Sequence, residues 1–254
     1  MKHLSFSAAV VSLLLAGAAS VSAQVPGASR LTPNLEGQLD RPLRYRPEGV
    51  SFVIENGAEF FNRPLYGGTT AFRVDAGDKP EFALYLPGRG GNLRFGLRSA
   101  TGTKWLHDAE RIVARYLPGE MIYEIRDSLL GASGVLRLHA IALPMTEGLA
   151  VRAEATAISE NIELLWAYGG STGTRGRRDG DIGTENVPIG EYFQLKPEFC
   201  RDNAFSVAAD SFTLRSKPAT ILGLVPAGAT LAVCDAANWN SPAALFAADR
   251  KSVV

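Results

Sequence analysis

The sequence predicts an all-β fold: a large antiparallel sandwich of two sheets that follows a cleaved signal peptide. Short runs alternate apolar and polar side chains, which indicates strands with one buried face. Turn-forming residues separate these runs at regular intervals, a spacing that is typical of an antiparallel sandwich. No long stretch carries a clean helical period. These three observations favour two packed sheets over any helical architecture.

The alternating runs predict six strands with a distinct buried face and four further strands. The six lie at 70–75, 81–86, 92–97, 120–126, 135–143 and 148–156. The further strands lie at 162–168, 204–208, 211–216 and 219–225. In the strand at 148–156, the side chains predicted to share the buried face are Leu149, Val151, Ala153 and Ala155.

Glycine and proline mark the turns between the strands. The turn sequences are Asn56-Gly57, Tyr66-Gly67-Gly68, Gly77-Asp78-Lys79-Pro80, Pro118-Gly119 and Gly131-Ala132-Ser133-Gly134. The segment Pro87–Asn92 contains Gly88-Arg89-Gly90-Gly91, which is glycine-rich like a phosphate-binding loop. It lacks the Gly-Lys-Ser/Thr of such loops and precedes no predicted helix, so it is predicted to be a turn between strands.

The N-terminus has the three parts of an export signal. A short positive start at Met1-Lys2-His3 precedes an apolar run at 8–19, and small residues stand at Val21 and Ala23. The apolar run is shorter than the roughly 20 residues that cross a bilayer. We therefore expect residues 1–23 to be a signal peptide cut after Ala23, and a periplasmic or secreted protein without a membrane span. Residues 24–47 are predicted to form an arm or linker, and residues 48–235 are predicted to form the sandwich domain.

The charge balance and the cysteines restrict the possible partners. The formal net charge is +0, which argues against nucleic acid and anionic membrane as electrostatic partners. Three scattered histidines and two cysteines form no metal-ligand pattern, and no cofactor is predicted. An exported compartment permits a disulfide between Cys200 and Cys234. Two buried thiols are the alternative.

A long polar loop at 169–190 interrupts the strands, and loops of this length are often functional. Its charged residues are Arg175, Arg177, Arg178, Asp179 and Asp181. The guanidinium groups could bind the carboxylate or sulfate of a sugar, or the arginines and aspartates could pair with each other in solvent. Two aspartates are too few for a calcium site, and on one loop they lack the opposed placement of glycosidase carboxylates.

Aromatic residues offer a second set of candidates for glycan binding. A sugar-stacking platform could be formed by Trp105, Trp166, Tyr168 and Trp239, although most aromatic side chains of a domain belong to its core. Trp166 joins the loop residues as a candidate substrate-binding residue. His139 is predicted to be structural, and no Gly-x-Ser-x-Gly elbow occurs. The sequence therefore predicts no catalytic residue.

Several longer runs resemble an uncharacterised domain family of polysaccharide-degrading bacteria. The runs lie at 46–49, 52–57, 60–67, 72–82, 166–170, 178–183 and 195–200. Among them are Phe60-Phe61-Asn62-Arg63-Pro64-Leu65-Tyr66-Gly67 and Leu195-Lys196-Pro197-Glu198-Phe199-Cys200. The resemblance covers about residues 46–235.

The resemblance implies that this chain is the N-terminal, supersandwich-like part of an exported glycoside-hydrolase-like protein. In such proteins a six-hairpin (α/α) toroid follows the sandwich and supplies the catalytic acid and base. On this basis the sandwich itself is not catalytic, and its partners are a glycan and the toroid of the same protein. The alternatives are a carbohydrate-binding module without catalysis and a structural or interaction domain of the envelope.

The last residues carry an expectation of their own. The hexapeptide Asp249–Val254 looks like a translated sequencing adapter. We therefore expect the genuine coding sequence to differ from this chain after about Ala248. Residues 236–248 are then expected to begin a linker to a further domain. The stretch Trp239–Ala248 is then expected to be poorly packed.

Overall fold

The computed structural model describes residues 44–158, 161–176 and 189–247. The predicted signal peptide, most of the predicted arm and the segment 249–254 lie outside the described residues. Within them, no helix is both long and apolar enough to cross a bilayer.

The first sheet has six antiparallel strands in the order β1-β2-β8-β9-β10-β11. Their bounds are β1 Arg46–Glu48, β2 Ser51–Glu55, β8 Arg111–Leu117, β9 Glu120–Arg126, β10 Val135–Ala142 and β11 Leu149–Thr156. Strand β1 therefore begins inside the range predicted as an arm. Buried and more exposed residues alternate along β9, and its residues Met121, Tyr123 and Ile125 are all buried.

The second sheet runs β12-β6-β5-β4-β3, with β7 also paired to β6. Its strands are β3 Arg63–Leu65, β4 Arg73–Ala76, β5 Glu81–Tyr85, β6 Arg89–Ser99, β7 Gly102–Trp105 and β12 Glu163–Gly169. The two sheets enclose one hydrophobic core, to which β5 and β6 contribute Phe82, Phe95 and Leu97. The predicted all-β sandwich of two antiparallel sheets is confirmed.

A third, smaller sheet and two short helices complete the described chain. The sheet consists of β13 Ala204–Val207, β14 Ser211–Arg215 and β15 Thr220–Leu224. It meets the second sheet through Phe212, whose ring centroid lies 5.7 Å from that of Trp166. The helices are α1 Ile189–Tyr192 and α2 Pro242–Ala247.

The glycine-rich segment at 88–91 is mostly strand, so the prediction of a turn there is wrong. The chain turns at 86–88, where the Leu86 amide donates to the Gly88 carbonyl at 2.9 Å, and β6 starts at Arg89. Gly91 has a φ of 115°, and a Cβ there would lie 2.8 Å from the Tyr168 hydroxyl oxygen. Glycine is thus required for close packing against β12 rather than for a turn.

Two other predictions fail at the edges of the fold. On β11, Ala153 and Ala155 are exposed rather than buried, because β11 is the edge strand of its sheet and has a neighbour on one side only. The stretch after Trp239 was expected to be poorly packed. Trp239 and Leu245 are in fact 4% and 3% exposed, and α2 contacts β7.

Candidate functional site

The second sheet turns its outer face toward the segment that follows residue 189, and this face is polar. The Asn92 amide donates to the Phe193 carbonyl at 2.8 Å. The Trp105 indole donates to the Trp239 carbonyl at 3.1 Å. The C-terminal segment therefore covers charged side chains that an open sandwich would leave in solvent.

The centre of this covered face is the ion pair of Glu81 and Arg94, on neighbouring positions of β5 and β6. Arg94 Nε donates to Glu81 Oε2 at 2.7 Å, and both side chains are almost fully enclosed. The Arg94 guanidinium also lies 4.8 Å from the ring centroid of Trp239. Burial raises the pKa of Glu81 although Arg94 opposes the shift.

A second enclosed carboxylate, Asp75, lies on β4. It accepts from Arg73 Nε at 2.9 Å, and the Arg73 guanidinium stacks 4.0 Å from the ring centroid of Tyr85. Burial raises the pKa of Asp75 to about 6, against the opposing effect of Arg73. This carboxyl has the titration range of a general acid or base, but at 1% exposure it does not reach solvent.

The remaining buried carboxylates are also paired. Asp78 binds Arg44 Nη2 at 2.5 Å, accepts from the Tyr45 hydroxyl at 2.6 Å and accepts from the Glu59 amide at 3.0 Å. Asp127 binds Lys104 Nζ at 2.7 Å. Each buried carboxylate of the described residues thus has a cationic partner, which is the arrangement that burial of a charge requires.

Arg89 differs from these cations because no described carboxylate pairs with it. Its guanidinium lies 4.5 Å from the ring centroid of Tyr192 and 4.0 Å from that of Phe199. Its Nη1 donates to the Gln194 carbonyl at 3.5 Å. These contacts hold α1 and the segment that follows it against β6.

A recess between residues 58–62 and 190–194, here called the α1 groove, is the open site of this region. Its volume is about 540 Å³, which is within the range of small-molecule sites. Its lining residues are Ala58, Glu59, Phe60, Asn62, Gly190, Glu191 and Gln194. It therefore combines an aromatic ring with two amides and two carboxylates.

The backbone beside the α1 groove is strained at Phe61, whose φ is 54°. Bulky residues rarely adopt this left-handed conformation. The ring of Phe61 is fully enclosed and lies 5.9 Å from that of Phe193, so packing holds the residue in place. As a result, Phe60 and Asn62 on either side of Phe61 both line the groove.

His107 lies behind Phe60, and their ring centroids are 5.6 Å apart. Burial, followed by the charge of Arg94, lowers the pKa of His107 to about 4. The imidazole is therefore neutral at neutral pH and supports the Phe60 ring as an uncharged surface.

Of the six binding residues predicted from the sequence, the structure describes Arg175 and Trp166. Arg177, Arg178, Asp179 and Asp181 lie outside the described residues, and Arg175 is exposed. Trp166 is partly buried and packs against the core and against Phe212. Trp105 and Trp239 are buried, so no sugar-stacking platform includes them.

The structure also describes His139, both cysteines and the distribution of possible metal ligands. His139 is structural, since its Nε2 lies 3.0 Å from Glu120 Oε2 on the neighbouring strand. No disulfide joins Cys200 and Cys234. The described residues contain no group of three or more histidine, cysteine or acidic side chains that could hold a metal ion.

Sequence reasoning missed the α1 groove altogether. Its two walls lie about 130 residues apart in the chain, and neither has a periodic signal. The run Phe60-Phe61-Asn62, two adjacent aromatics followed by an amide, was the available clue.

Comparison with known proteins places the chain in an uncharacterised family. No curated protein and no solved structure matches it. The model of the domain of unknown function DUF4450 matches residues 86–253, which is more than half of the chain and includes β6 to α2. This confirms the predicted membership of an uncharacterised domain family. The chain therefore belongs to the DUF4450 family.

Proposed function

We propose that this chain is the non-catalytic β-sandwich of an exported glycoside-hydrolase-like protein that acts on polysaccharide. The observation that supports a non-catalytic role is the pairing of the buried carboxylates. Asp75, Asp78, Glu81 and Asp127 are each bound to an arginine or lysine. A glycosidase needs two carboxyl groups that face one substrate from opposite sides. These four instead hold strands and covering segments together.

The proposal assigns the chemistry to an (α/α) toroid that follows the sandwich in the full gene product. The support for this step is the sequence resemblance, together with the export signal predicted at residues 1–23. In this arrangement the sandwich acts as a rigid support. The enclosed polar layer suits this role because its ion pairs fix the geometry of neighbouring elements.

A second candidate function is carbohydrate binding without catalysis, and the α1 groove favours it. The groove contains an aromatic ring and planar polar side chains, which are the groups that bind sugar rings and hydroxyls. This candidate is compatible with the first, because a support domain can also hold substrate.

The test compares two proteins on the same polysaccharides. The gene product with its toroid is expected to release reducing ends from at least one plant or host glycan, and this chain alone is expected to release none. Release by the chain alone would contradict a non-catalytic role. An intact toroid-bearing protein that hydrolyses no glycan would contradict the proposed enzymatic context.

A further inference from the structure

We propose that the α1 groove binds a neutral, hydroxyl-rich saccharide. This inference names the site and ligand class for the carbohydrate role proposed above, and in that respect rests on it.

The chemistry of the groove fits a sugar ring. Phe60 supplies an apolar face against which the C–H face of a pyranose can pack. Gln194 and Asn62 supply amides, which both donate and accept hydrogen bonds, and Glu191 supplies a carboxylate that accepts from hydroxyl groups. A few polar groups around an apolar surface are typical of small-molecule sites.

The charge of the groove selects against acidic sugars. Its two ionisable lining residues are Glu59 and Glu191. Arg44 offsets the first, with Nη1 2.6 Å from Glu59 Oε2, and no described cation is paired with Glu191. Glu191 therefore gives the groove a carboxylate that repels a uronate or a sulfated sugar and tolerates a neutral one. Arg89, with which no described carboxylate pairs, donates from Nη1 to the Gln194 carbonyl at 3.5 Å and opposes part of this repulsion.

The wall that carries Phe60 is rigid. The Asp78 amide donates to the Glu59 carbonyl at 2.8 Å, and the Glu59 amide donates to Asp78 Oδ2 at 3.0 Å. Gly77 packs so closely beneath this wall that a Cβ there would lie 2.7 Å from the Phe61 amide nitrogen. The strained φ of Phe61 is thereby held before any ligand arrives, which is the arrangement expected of a preorganised site.

Asn62 gives an independent sign of a missing partner. Its Nδ2 donates to Glu59 Oε2 at 2.6 Å, whereas its Oδ1 is buried and accepts no hydrogen bond from the described residues. An unsatisfied buried acceptor is unfavourable. Because this oxygen has almost no accessible surface, a ligand hydroxyl in the groove reaches it only after the Asn62 side chain rotates toward the ligand.

The test is calorimetric titration of the full chain with cellohexaose, xylohexaose, mannohexaose and hexagalacturonate. We expect at least one neutral hexasaccharide to bind with a Kd below about 1 mM, and hexagalacturonate to bind at least tenfold more weakly than the best neutral probe. Failure of all three neutral probes, or tighter binding of hexagalacturonate, overturns the inference.

Variants then locate the binding. Phe60→Ala and Gln194→Ala are each expected to weaken binding at least fivefold, and Tyr66→Ala, at an exposed aromatic outside the groove, is the matched control. The Gln194 side chain makes no hydrogen bond within the described residues, so its truncation preserves the fold even if Phe60→Ala does not. Unchanged affinity in Gln194→Ala together with a folded, fully binding Phe60→Ala overturns the inference.

The outcomes also separate this inference from the proposed function. Hydrolysis by the toroid-bearing protein does not depend on the α1 groove. If that protein is active and the groove binds no neutral probe, the inference fails and the proposed function stands.

Discussion

Replacement of Arg94 by methionine tests the covered polar layer. The change preserves most of the side-chain volume and removes the cation. It also removes the 2.7 Å hydrogen bond to Glu81 and the stacking on Trp239. Glu81 then remains fully enclosed, with Asn92 Nδ2 at 3.2 Å as its remaining hydrogen-bond donor. His107 Nδ1 lies 3.9 Å from Glu81 Oε2. Burial still lowers the pKa of His107 in the variant, but the lowering effect of Arg94 is lost, so any protonation of His107 offsets part of the cost.

The expected loss is large because a buried charge is left without its partner. Breaking one side of a buried ion pair costs about 3–5 kcal/mol. For a domain of this size, each kcal/mol lowers Tm by about 2–4 °C, so Arg94→Met should melt about 6–20 °C below the unmodified chain. Differential scanning calorimetry and urea unfolding at pH 7.5 measure both quantities.

The control is Arg98→Met on the same strand. Arg98 pairs with Glu163, but the two side chains are 40% and 60% exposed, and surface pairs contribute about 0–1 kcal/mol.

The loss of stability caused by Arg94→Met should also be smaller at pH 5 than at pH 8. Arg94 lowers the pKa of Glu81, so without Arg94 that pKa is higher in the variant than in the unmodified chain, and protonation at lower pH recovers part of the variant's loss. A loss at pH 8 no larger than that of Arg98→Met, or a loss that does not shrink at pH 5, would refute this reasoning.

Two further predictions concern buried polar groups in the core. Burial raises the pKa of Asp75 to about 6, with Arg73 as the facing charge, so its contribution to stability is present below about pH 4 and is lost as pH rises through about 6. Relative to Asp75→Asn, the unmodified chain should therefore lose about 2 kcal/mol between pH 4 and pH 7 in urea unfolding; parallel stability curves for the two proteins would contradict the burial of this carboxyl. Tyr123→Phe removes a buried hydroxyl that donates to the Gly77 carbonyl at 2.8 Å and should cost about 1–3 kcal/mol, whereas Tyr66→Phe should leave Tm unchanged. Equal Tm values for the two tyrosine variants would contradict the Tyr123 prediction.

The fold could be predicted from the sequence because its signal is local. Alternation on one strand is sufficient to place Met121, Tyr123 and Ile125 on a buried face, and the structure confirms it. Strand β8 escaped prediction although the buried Ile112 and Ala114 lie on one face between Arg111 and Arg115. The errors at Ala153 and Ala155 have a different cause, since the position of a strand within its sheet is not encoded in the strand itself.

The candidate site could not be predicted because its signal is not local. The α1 groove forms where residues 58–62 meet residues 190–194, and only the folded chain brings them together. The left-handed φ of Phe61 contradicts the preference of phenylalanine itself. Tertiary packing imposes this φ, so no pattern in the sequence indicates it. The pair of Arg44 and Asp78 is equally non-local, since these residues lie 34 positions apart.

The measurement that tests the central claim most directly is the release of reducing ends from a panel of polysaccharides by this chain alone and by the toroid-bearing gene product. The proposed support role, in which every buried carboxylate of the described residues is paired, predicts no release by the chain and measurable release by the longer protein. Turnover by this chain alone would contradict the claim that its carboxylates serve structure rather than catalysis.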